Sequence, residues 1–231
     1  MKKKLVILTG AGISAESGLK TFRDSDGLWE NYRLEDVATP IAWQRDQALV
    51  LEFYNQRRKD VLKAQPNAAH LALAVLDNYY DVTIITQNID DLHERAGSKH
   101  IIHLHGEILK SRSSLDDDLL YDCRTNISMG DKCSRGSQLR PHVVWFHEAV
   151  PLLETAAAVA SEAEIFIVVG TSLQVYPAAG LIHYAPDGSK KFLVDPYIPL
   201  ISEIKDWEMI EAKATIGVPQ LVKRLKQDFT Q

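Results

Sequence analysis

Short apolar runs recur along the chain, and glycine or polar residues follow each of them. They are rich in valine, isoleucine and leucine and lie at 5–8, 82–85, 101–104, 165–169 and 192–194. Runs that are apolar at every position suit parallel strands whose two faces are both covered. We therefore predict that these five segments form a central parallel sheet.

Segments with a helical spacing of apolar residues separate several of these runs. The clearest follows Pro66-Asn67, with apolar residues at 68, 71, 72, 75, 76 and 79, and an alanine-rich stretch covers 152–163. We predict the last helix at 220–227, after Gly217-Val218-Pro219, docked against the sheet edge. Strands that alternate with helices are typical of a doubly wound α/β domain.

Two segments interrupt this alternation. Residues 30–65 are rich in aromatic and charged side chains, and residues 107–140 are polar and contain both cysteines. We predict that these two insertions form a smaller second domain. The larger domain would then consist of residues 1–29, 66–106 and 141–231.

Composition narrows the class of protein. The chain has 231 residues, of which 45% are hydrophobic and 25% charged, and a formal net charge of -5. This balance predicts a globular protein with no direct nucleic-acid partner. The apolar stretch after the N-terminal lysines is too short for a signal peptide, and no run reaches membrane-spanning length. Two cysteines fit a reducing compartment, so we expect a cytoplasmic protein, as a monomer, with no membrane partner.

The first chemical signal is the sequence TGAGISAE at 9–16, directly after the first predicted strand. Glycines after a strand allow backbone N–H groups to approach a diphosphate, although such a pair is often just a turn. A conventional dinucleotide fingerprint also has an acidic residue about 20 positions later, at the end of a strand. Here that position falls at 30–33, inside an insertion, which disfavours a conventional dehydrogenase.

Six motifs in a fixed order make the prediction specific. They are GAGIS at 10–14, GLKTFR at 18–23, TQNID at 86–90, LHG at 104–106, LRPHVVWF at 139–146 and GTSL at 170–173. Together they resemble the sirtuin family, from about Leu8 to Gly180. The resemblance implies a Rossmann-like large domain, with NAD and an acyl-lysine of a protein substrate meeting in the cleft between the two domains.

The same resemblance implies the roles of individual residues. His105 would be the catalytic base, chosen by the Leu-His-Gly pattern over His103 on the same strand. The acyl oxygen would attack the ribose as nicotinamide leaves, and His105 would then activate a ribose hydroxyl, giving free lysine and O-acyl-ADP-ribose. The cofactor-binding residues would be Gly10, Ala11, Gly12, Ser14, Glu16, Thr21, Phe22, Arg23, Gln87, Asn88, Asp90, Gly170, Thr171, Ser172 and Asp195.

Some of these roles have simpler alternatives. Asn88 and Asp90 would contact nicotinamide, but both residue types also suit a turn after a strand. Phe22 would shield the nicotinamide site, or it could be a packed core residue. Asp195 stands where the family often has an asparagine that meets the adenosine ribose.

The substrate would lie along a short strand at 143–146, with Val143, Val144 and Phe146 binding it by strand addition. A second set of residues would bind the acyl group of the substrate. A helix through 49–62 would place Tyr54 and Arg57 on one face, where a hydroxyl and a guanidinium can bind a carboxylate. Together with GLW at 27–29 and EDVATP at 35–40, this Tyr-x-x-Arg pair resembles the sirtuin class that removes succinyl, malonyl and glutaryl groups. Small Ala38 would leave room for the longer acyl chain. The alternative is a solvated basic face at 57–59.

The chain also departs from the family. Zinc-bearing members have two Cys-x-x-Cys pairs, whereas this sequence has only Cys123 and Cys133, so we expect no structural zinc. We therefore predict an NAD-dependent protein-lysine deacylase with desuccinylase, demalonylase and some deacetylase activity. Two alternatives stay open: an NAD-dependent mono-ADP-ribosyltransferase, and a catalytically silent NAD-binding regulatory module.

Overall fold

A central parallel sheet and a smaller antiparallel sheet organise the protein. The computed structural model describes residues 2–20, 28–29, 32–199 and 201–229. The strands are β1 (Lys4–Thr9), β2 (Leu28–Trp29), β3 (Tyr32–Arg33), β4 (Asp81–Thr86), β5 (Ile101–His103), β6 (Gly106–Ser113), β7 (Leu120–Asp122), β8 (Leu139–Val143), β9 (Ile165–Val169), β10 (Lys190–Val194) and β11 (Glu208–Ile210).

Helices cover both faces of the central sheet and fill the two insertions. They are α1 (Gly12–Ala15), α2 (Leu34–Val37), α3 (Pro40–Arg45), α4 (Gln47–Lys63), α5 (Ala68–Val75), α6 (Leu92–Ala96), α7 (Leu153–Ser161) and α8 (Ala214–Phe229). Short 3-10 turns lie at Leu76–Asn78, Ala178–His183 and Ser202–Ile204.

The central sheet has the order β11-β10-β9-β1-β4-β5, and every pair in it is parallel. The five predicted strands are confirmed. From β1 the chain proceeds outward to β4 and β5, and it later returns to the other side of β1 for β9, β10 and β11. The strand order therefore reverses between β1 and β9, and ligands of open α/β sheets bind at such a switch point.

Apolar side chains on the two faces of the sheet build two separate cores. One face packs against α5 and α8, with Leu5, Ile7 and Ile167 fully buried. The opposite face packs against α7 and the 178–183 turn, with Leu8 and Val168 fully buried. Burial on both faces explains why these strands are continuous apolar runs.

The last helix differs from the prediction. It begins at Ala214, not at residue 220, and contains Pro219. It packs beside α5 over one face of the sheet instead of docking at the sheet edge. Gly217 makes this start possible, because a Cβ on it would lie 2.5 Å from the Val194 Cγ1 atom. Gly217, which was predicted to precede the helix, thus lies inside the helix at a point of close contact with the sheet.

A third core joins residues of the two insertions. Val50 and Phe53 of α4 pack with Ile108 and Ile127, which belong to the second segment, and β6 pairs with β7 and β8 in an antiparallel sheet. The same core also includes Leu92, outside both segments. The predicted domain boundaries themselves stay a prediction.

The predicted strand at 143–146 is wrong beyond its first residue, because β8 ends at Val143. The next residues bond to other parts of the chain. The Val144 N–H donates to the His105 carbonyl oxygen at 2.9 Å, and the Phe146 N–H donates to the Ala38 carbonyl oxygen at 3.0 Å. Trp145 is buried, and the Arg140 guanidinium lies over its ring.

In the part of the chain that the structure describes, no helix is both long enough and apolar enough to cross a membrane.

Tyr80 ties the start of β4 to the C-terminal helix. Its hydroxyl donates to the Leu225 carbonyl oxygen at 2.6 Å in a buried setting. Tyr80→Phe should lower the free energy of unfolding by about 1 kcal/mol, because it leaves a buried carbonyl without this donor. Urea denaturation measures the effect, and Tyr79→Phe is the matched control because Tyr79 contacts Phe229 through its ring. Equal effects of the two substitutions would contradict this account.

Candidate active site

Two glycine turns meet at the switch point of the sheet. The Gly10 N–H donates to the Val169 carbonyl oxygen at 3.0 Å, and the Gly12 N–H donates to the Gly170 carbonyl oxygen at 2.8 Å. A Cβ on Gly12 would lie 2.7 Å from the Gly170 Cα atom, and Gly170 itself has a φ of +62°. The backbone therefore lines this edge, which suits close approach of a diphosphate.

A buried trio of polar side chains lies next to this turn. The Asn88 Nδ2 group donates to the Ser14 hydroxyl oxygen at 3.1 Å, and that hydroxyl donates to Asp90 Oδ2 at 3.0 Å. The other carboxylate oxygen of Asp90 accepts the Leu92 N–H at 3.1 Å. Asn88 and Asp90 do form part of a turn, as the simpler alternative held, but their side chains also converge on Ser14.

Burial raises the pKa of Asp90. The Leu92 N–H, the Ser14 hydroxyl and the positive charge of Arg57 oppose this effect. A buried carboxylate supported by directed donors is typical of a functional site. The charge of Arg57, in the first insertion, therefore acts on a carboxyl group that the third motif, TQNID at 86–90, supplies.

His105 follows β5 and contacts the same edge. Its Nδ1 atom lies 2.9 Å from the Gln87 carbonyl oxygen, which can only accept, so the proton of the neutral ring is on Nδ1 and the lone pair on Nε2. Burial lowers the pKa of His105, although the bond to Gln87 opposes this. A neutral imidazole with a basic Nε2 is the form that a general base requires.

His103 is placed differently. Its Nε2 atom is 2.6 Å from Glu94 Oε1, and its Nδ1 atom is 3.2 Å from the Asn88 carbonyl oxygen. Burial would lower the pKa of His103, but the bond and charge of Glu94 outweigh it and raise the pKa overall. Both ring nitrogens thus have partners within the protein, which makes His103 a poor base and leaves His105 as the candidate.

The backbone joins His105 to the segment proposed to bind substrate. Gly106 has a φ of +80°, and a Cβ on it would lie 2.3 Å from the His142 carbonyl oxygen. This contact brings β8 directly against the residue that follows the histidine. Val143 is buried, Val144 half-buried and Phe146 37% exposed, so the segment presents an apolar edge beside His105.

The buried face of α4 contains Tyr54 and Arg57. They are 3% and 8% exposed, and Arg58 is 1% exposed, whereas Lys59 is exposed. The solvated-face alternative is therefore wrong for two of the three basic residues. The reason is packing, because this face of α4 covers β6 and the chain around Trp145.

The two residues of the proposed acyl pocket have different surroundings. Arg57 lines a cavity of about 510 Å³ between α4 and residues 126–129, and its Nη2 group donates to the Lys20 carbonyl oxygen at 3.2 Å. Tyr54 is not among the residues lining that cavity; its ring centroid lies 6.5 Å from that of Trp145. Burial raises the pKa of Tyr54, and the charge of Arg57 is among the effects that oppose it.

Other predicted cofactor residues lie at varying distances from this centre. Thr171 accepts a hydrogen bond from the Gln87 side chain at 3.2 Å, which joins two of them. Exposed Glu16 instead accepts from the N–H and hydroxyl of Thr215, and buried Asp195 accepts the Tyr197 N–H. Ala11 and Ser172 are half-buried. Thr21, Phe22 and Arg23 lie outside the described residues.

The predicted site residues did not include four buried polar residues beneath the trio: Thr9, His70, Thr86 and His93. The sequence did contain a signal for the two threonines, because each is the polar residue that directly follows an apolar run predicted as a strand. A second missed group is the ion pair of buried Arg140 and half-buried Glu148, whose closest atoms are 2.7 Å apart. Glu148 also accepts the Trp145 N–H at 2.8 Å, which holds the segment after β8.

The two cysteines have hydroxyl and carbonyl partners. The Cys133 sulfur lies 3.1 Å from the Ser137 hydroxyl, and the Cys123 thiol donates to the Thr125 carbonyl oxygen at 3.4 Å. The bond to Ser137 is the main cause that lowers the pKa of Cys133 to about 7. Among the described residues, no three metal-binding side chains form a cluster.

Comparison with known proteins places this arrangement in a family. The Sir2 family model matches residues 10–177, so the chain belongs to the Sir2 family. An NAD-dependent protein deacylase of Bacteroides thetaiotaomicron is 51% identical over 96% of this chain and 98% of its own length. One from Helicobacter pylori is 54% identical over 84% of this chain and 85% of its own length.

Solved structures agree in fold. A mutant Sir2 homologue in complex with ADP-ribose matches with a TM-score of 0.90 and 39% identity, covering 99% of this chain and 94% of that chain. A Sir2 homologue in complex with NAD matches with a TM-score of 0.89 at the same identity, covering 91% of that chain. The Rossmann-like prediction for the parallel sheet is confirmed.

The absence of a zinc site stays a prediction, and it has a direct test. We expect the purified chain to contain no stoichiometric zinc and to keep its thermal midpoint in chelator, because two cysteines cannot complete a tetrahedral thiolate site. Elemental analysis before and after dialysis against chelator gives the answer. One tightly held zinc per chain would show that other side chains complete the site.

Proposed function

We propose that this chain removes succinyl and malonyl groups, and more slowly acetyl groups, from lysine side chains of proteins. The coarser activity, NAD-dependent protein deacylation, follows from membership of the Sir2 family and from relatives of about 50% identity that bear that name. The finer acyl preference rests on the first insertion. The observation that carries it is the position of Arg57, which is buried on the same face of α4 as Tyr54 and lines a cavity of about 510 Å³.

The residues at the switch point fit NAD. The two glycine turns present backbone without side chains, because a Cβ on Gly12 or Gly170 would collide with the opposing turn, and this edge would let a diphosphate approach the chain closely. Asn88 and Asp90 offer an amide and a carboxylate, which match the two ends of the nicotinamide carboxamide. When bound, NAD would supply a ribose carbon whose bond to nicotinamide can break, and the acyl group would pass to ADP-ribose with one water consumed to release the free lysine.

His105 would supply the proton transfer in this reaction. Its Nδ1–H is held by the Gln87 carbonyl oxygen, which fixes the ring and leaves Nε2 to take a proton from a ribose hydroxyl. The N–H groups of Val144, Trp145 and Phe146 donate within the chain. The adjacent segment at 143–146 would therefore contact the substrate lysine mainly through the side chains of Val144 and Phe146, beside this nitrogen.

Arg57 would recognise the carboxylate at the end of a succinyl or malonyl group. A guanidinium can bind both oxygens of a carboxylate, and partial burial strengthens that pairing. Ala38, 3% exposed, adds little bulk next to this helix and accepts the Phe146 N–H through its carbonyl oxygen. Acetyl-lysine has no carboxylate, so it would gain nothing from Arg57.

His105→Ala should lower kcat by about 10²- to 10⁴-fold, the usual contribution of a general base. In the unsubstituted enzyme, kcat/KM should fall as the pH drops through the pKa of His105, because only the neutral ring accepts a proton. Burial lowers that pKa, so the fall should come below the ordinary histidine value of about 6.5.

Steady-state assays across pH 5 to 8 measure both effects, with circular dichroism to confirm that the variant folds. His100→Ala is the control, because His100 is exposed and precedes β5. Near-normal turnover of folded His105→Ala would remove His105 from the mechanism.

Arg57→Met should lower kcat/KM for a succinyl-lysine peptide. The corresponding activation free energy should rise by roughly 2 to 4 kcal/mol, the scale of a lost buried charge pair. The acetyl-lysine peptide should lose far less, because it has no carboxylate to pair. Tyr54→Phe should act in the same direction but more weakly, since it removes one neutral hydroxyl. Parallel assays with both peptides measure the ratio.

Lys63→Met is the matched control, because it removes a positive charge from an exposed position of the same helix that does not line the cavity of Arg57. It should leave the ratio of the two kcat/KM values unchanged. If Arg57→Met lowers both substrates equally, Arg57 is structural and the proposed acyl preference is wrong, while the general deacylase activity stands.

A further inference from the structure

Two buried histidines lie beneath the proposed nicotinamide contacts. His70 of α5 and His93 of α6 are both 0% exposed, and their ring centroids are 4.9 Å apart. Burial lowers the pKa of His70 to about 4 and the pKa of His93 well below its ordinary value. Each ring is therefore neutral near pH 7 and has one N–H to donate.

A chain of hydrogen bonds leads from His93 to Asn88. The Thr9 hydroxyl donates to the Thr86 hydroxyl oxygen at 2.9 Å, and Thr86 also accepts the Asn88 N–H at 3.0 Å. Thr9 has only one hydrogen to give, so the His93 Nε2 atom, 3.1 Å from the Thr9 oxygen, must be the donor in that contact. His93 thus supports the turn that presents Asn88.

A second chain leads from the start of α5 to the same trio. The Asn67 N–H donates to His70 Nδ1 at 3.3 Å as part of a capping box, which leaves the proton of His70 on Nε2. That nitrogen lies 3.5 Å from the Ser14 hydroxyl oxygen, a long contact in which Ser14 can only accept. The single hydrogen of Ser14 therefore goes to Asp90.

The tautomer of His70 consequently decides how the trio is arranged. With its hydrogen directed at Asp90, Ser14 can only accept from Asn88, so the Asn88 amide nitrogen faces Ser14 and its oxygen faces away. In the other tautomer, Ser14 would donate to His70 and Asp90 would lose a bond. A fixed amide orientation is what a site for a carboxamide requires.

We infer that His70 and His93 are positioning residues, whose Nε2–H groups hold the Ser14 and Thr9 hydroxyls in one orientation and so direct Asn88 and Asp90 toward nicotinamide. This inference rests on the proposed role of Asn88 and Asp90 as nicotinamide contacts. The histidines do not touch the ligand, and they act through the two hydroxyls.

The test compares leucine and glutamine at each histidine in the full-length enzyme. Leucine removes the donor, whereas glutamine keeps an N–H that can reach the same hydroxyl. We expect His93→Leu and His70→Leu to raise the product-inhibition constant of nicotinamide and the KM for NAD about three- to ten-fold, the scale of a lost hydrogen bond. The glutamine variants should stay within about two-fold of the unsubstituted enzyme.

Thr9→Val tests the first chain without touching a histidine, because valine has nearly the same shape as threonine. It should raise the nicotinamide constant like His93→Leu. Thr83→Val is the matched control on β4, since Thr83 is half-buried away from the carboxyl end of the strand. Thr83→Val should leave the nicotinamide constant unchanged. The comparison of Thr9→Val with Thr83→Val keeps the test decisive even if a leucine variant fails to fold.

A merely structural role would lower the thermal midpoint of the leucine and glutamine variants alike and leave the nicotinamide constant unchanged in the folded fraction. Unchanged constants in the leucine variants or in Thr9→Val would overturn the inference. Asn88→Ala separates this failure from that of the proposed function. If Asn88→Ala also leaves the constant unchanged, the assignment of the nicotinamide site itself is wrong.

Discussion

The contact between the two glycine turns after β1 and β9 is the constraint on which the site depends. A Cβ on Gly170 would lie 2.4 Å from the Ile13 backbone nitrogen, so no other residue fits there without moving the backbone. This contact sits where the strand order reverses, between β1 and β9. The N–H groups of Gly10 and Gly12 donate to the carbonyl oxygens of Val169 and Gly170 across this contact. The contact also places Ser14, one residue after Ile13, beside the ends of β1 and β4.

Burial gives the polar groups at this edge their chemical properties. Low exposure keeps His70, His93 and His105 neutral and raises the pKa of Asp90, while Arg57 opposes that rise. In such surroundings each hydrogen bond is strong, and each unpaired group costs free energy. The donors and acceptors must therefore be arranged in a single pattern, and the capping box of α5 is where that pattern begins.

Much of this arrangement was accessible from the sequence, because continuous apolar runs predict buried parallel strands and the polar residues after them fall at one edge. His105, Asn88 and Asp90 were found in this way, with the family resemblance selecting among alternatives. The edge strand β11 was not found, because three residues with alternating polarity carry little signal. The early start of α8 was also missed, since Gly217 and Pro219 mark a chain break more often than a close helix–sheet contact.

The relations between residues could not be predicted from spacing. Nothing in the sequence indicates that Asn67 sets the tautomer of His70, or that Glu148 holds Arg140 and the Trp145 N–H together. These bonds join residues only three to eight positions apart, but they depend on which atom donates and on the path of the chain after β8. Likewise, the basic run at 57–59 looks solvated until packing buries two of its three members.

The most direct test of the account is the identity of the products formed from NAD and a succinyl-lysine peptide. Mass spectrometry of the mixture should find nicotinamide, the peptide with free lysine, and O-succinyl-ADP-ribose in equal amounts. That result is expected only if NAD binds at the switch point, His105 acts as the base and the enzyme accepts the succinyl group. Protein-bound ADP-ribose with intact succinyl peptide, or no consumption of NAD, would contradict it.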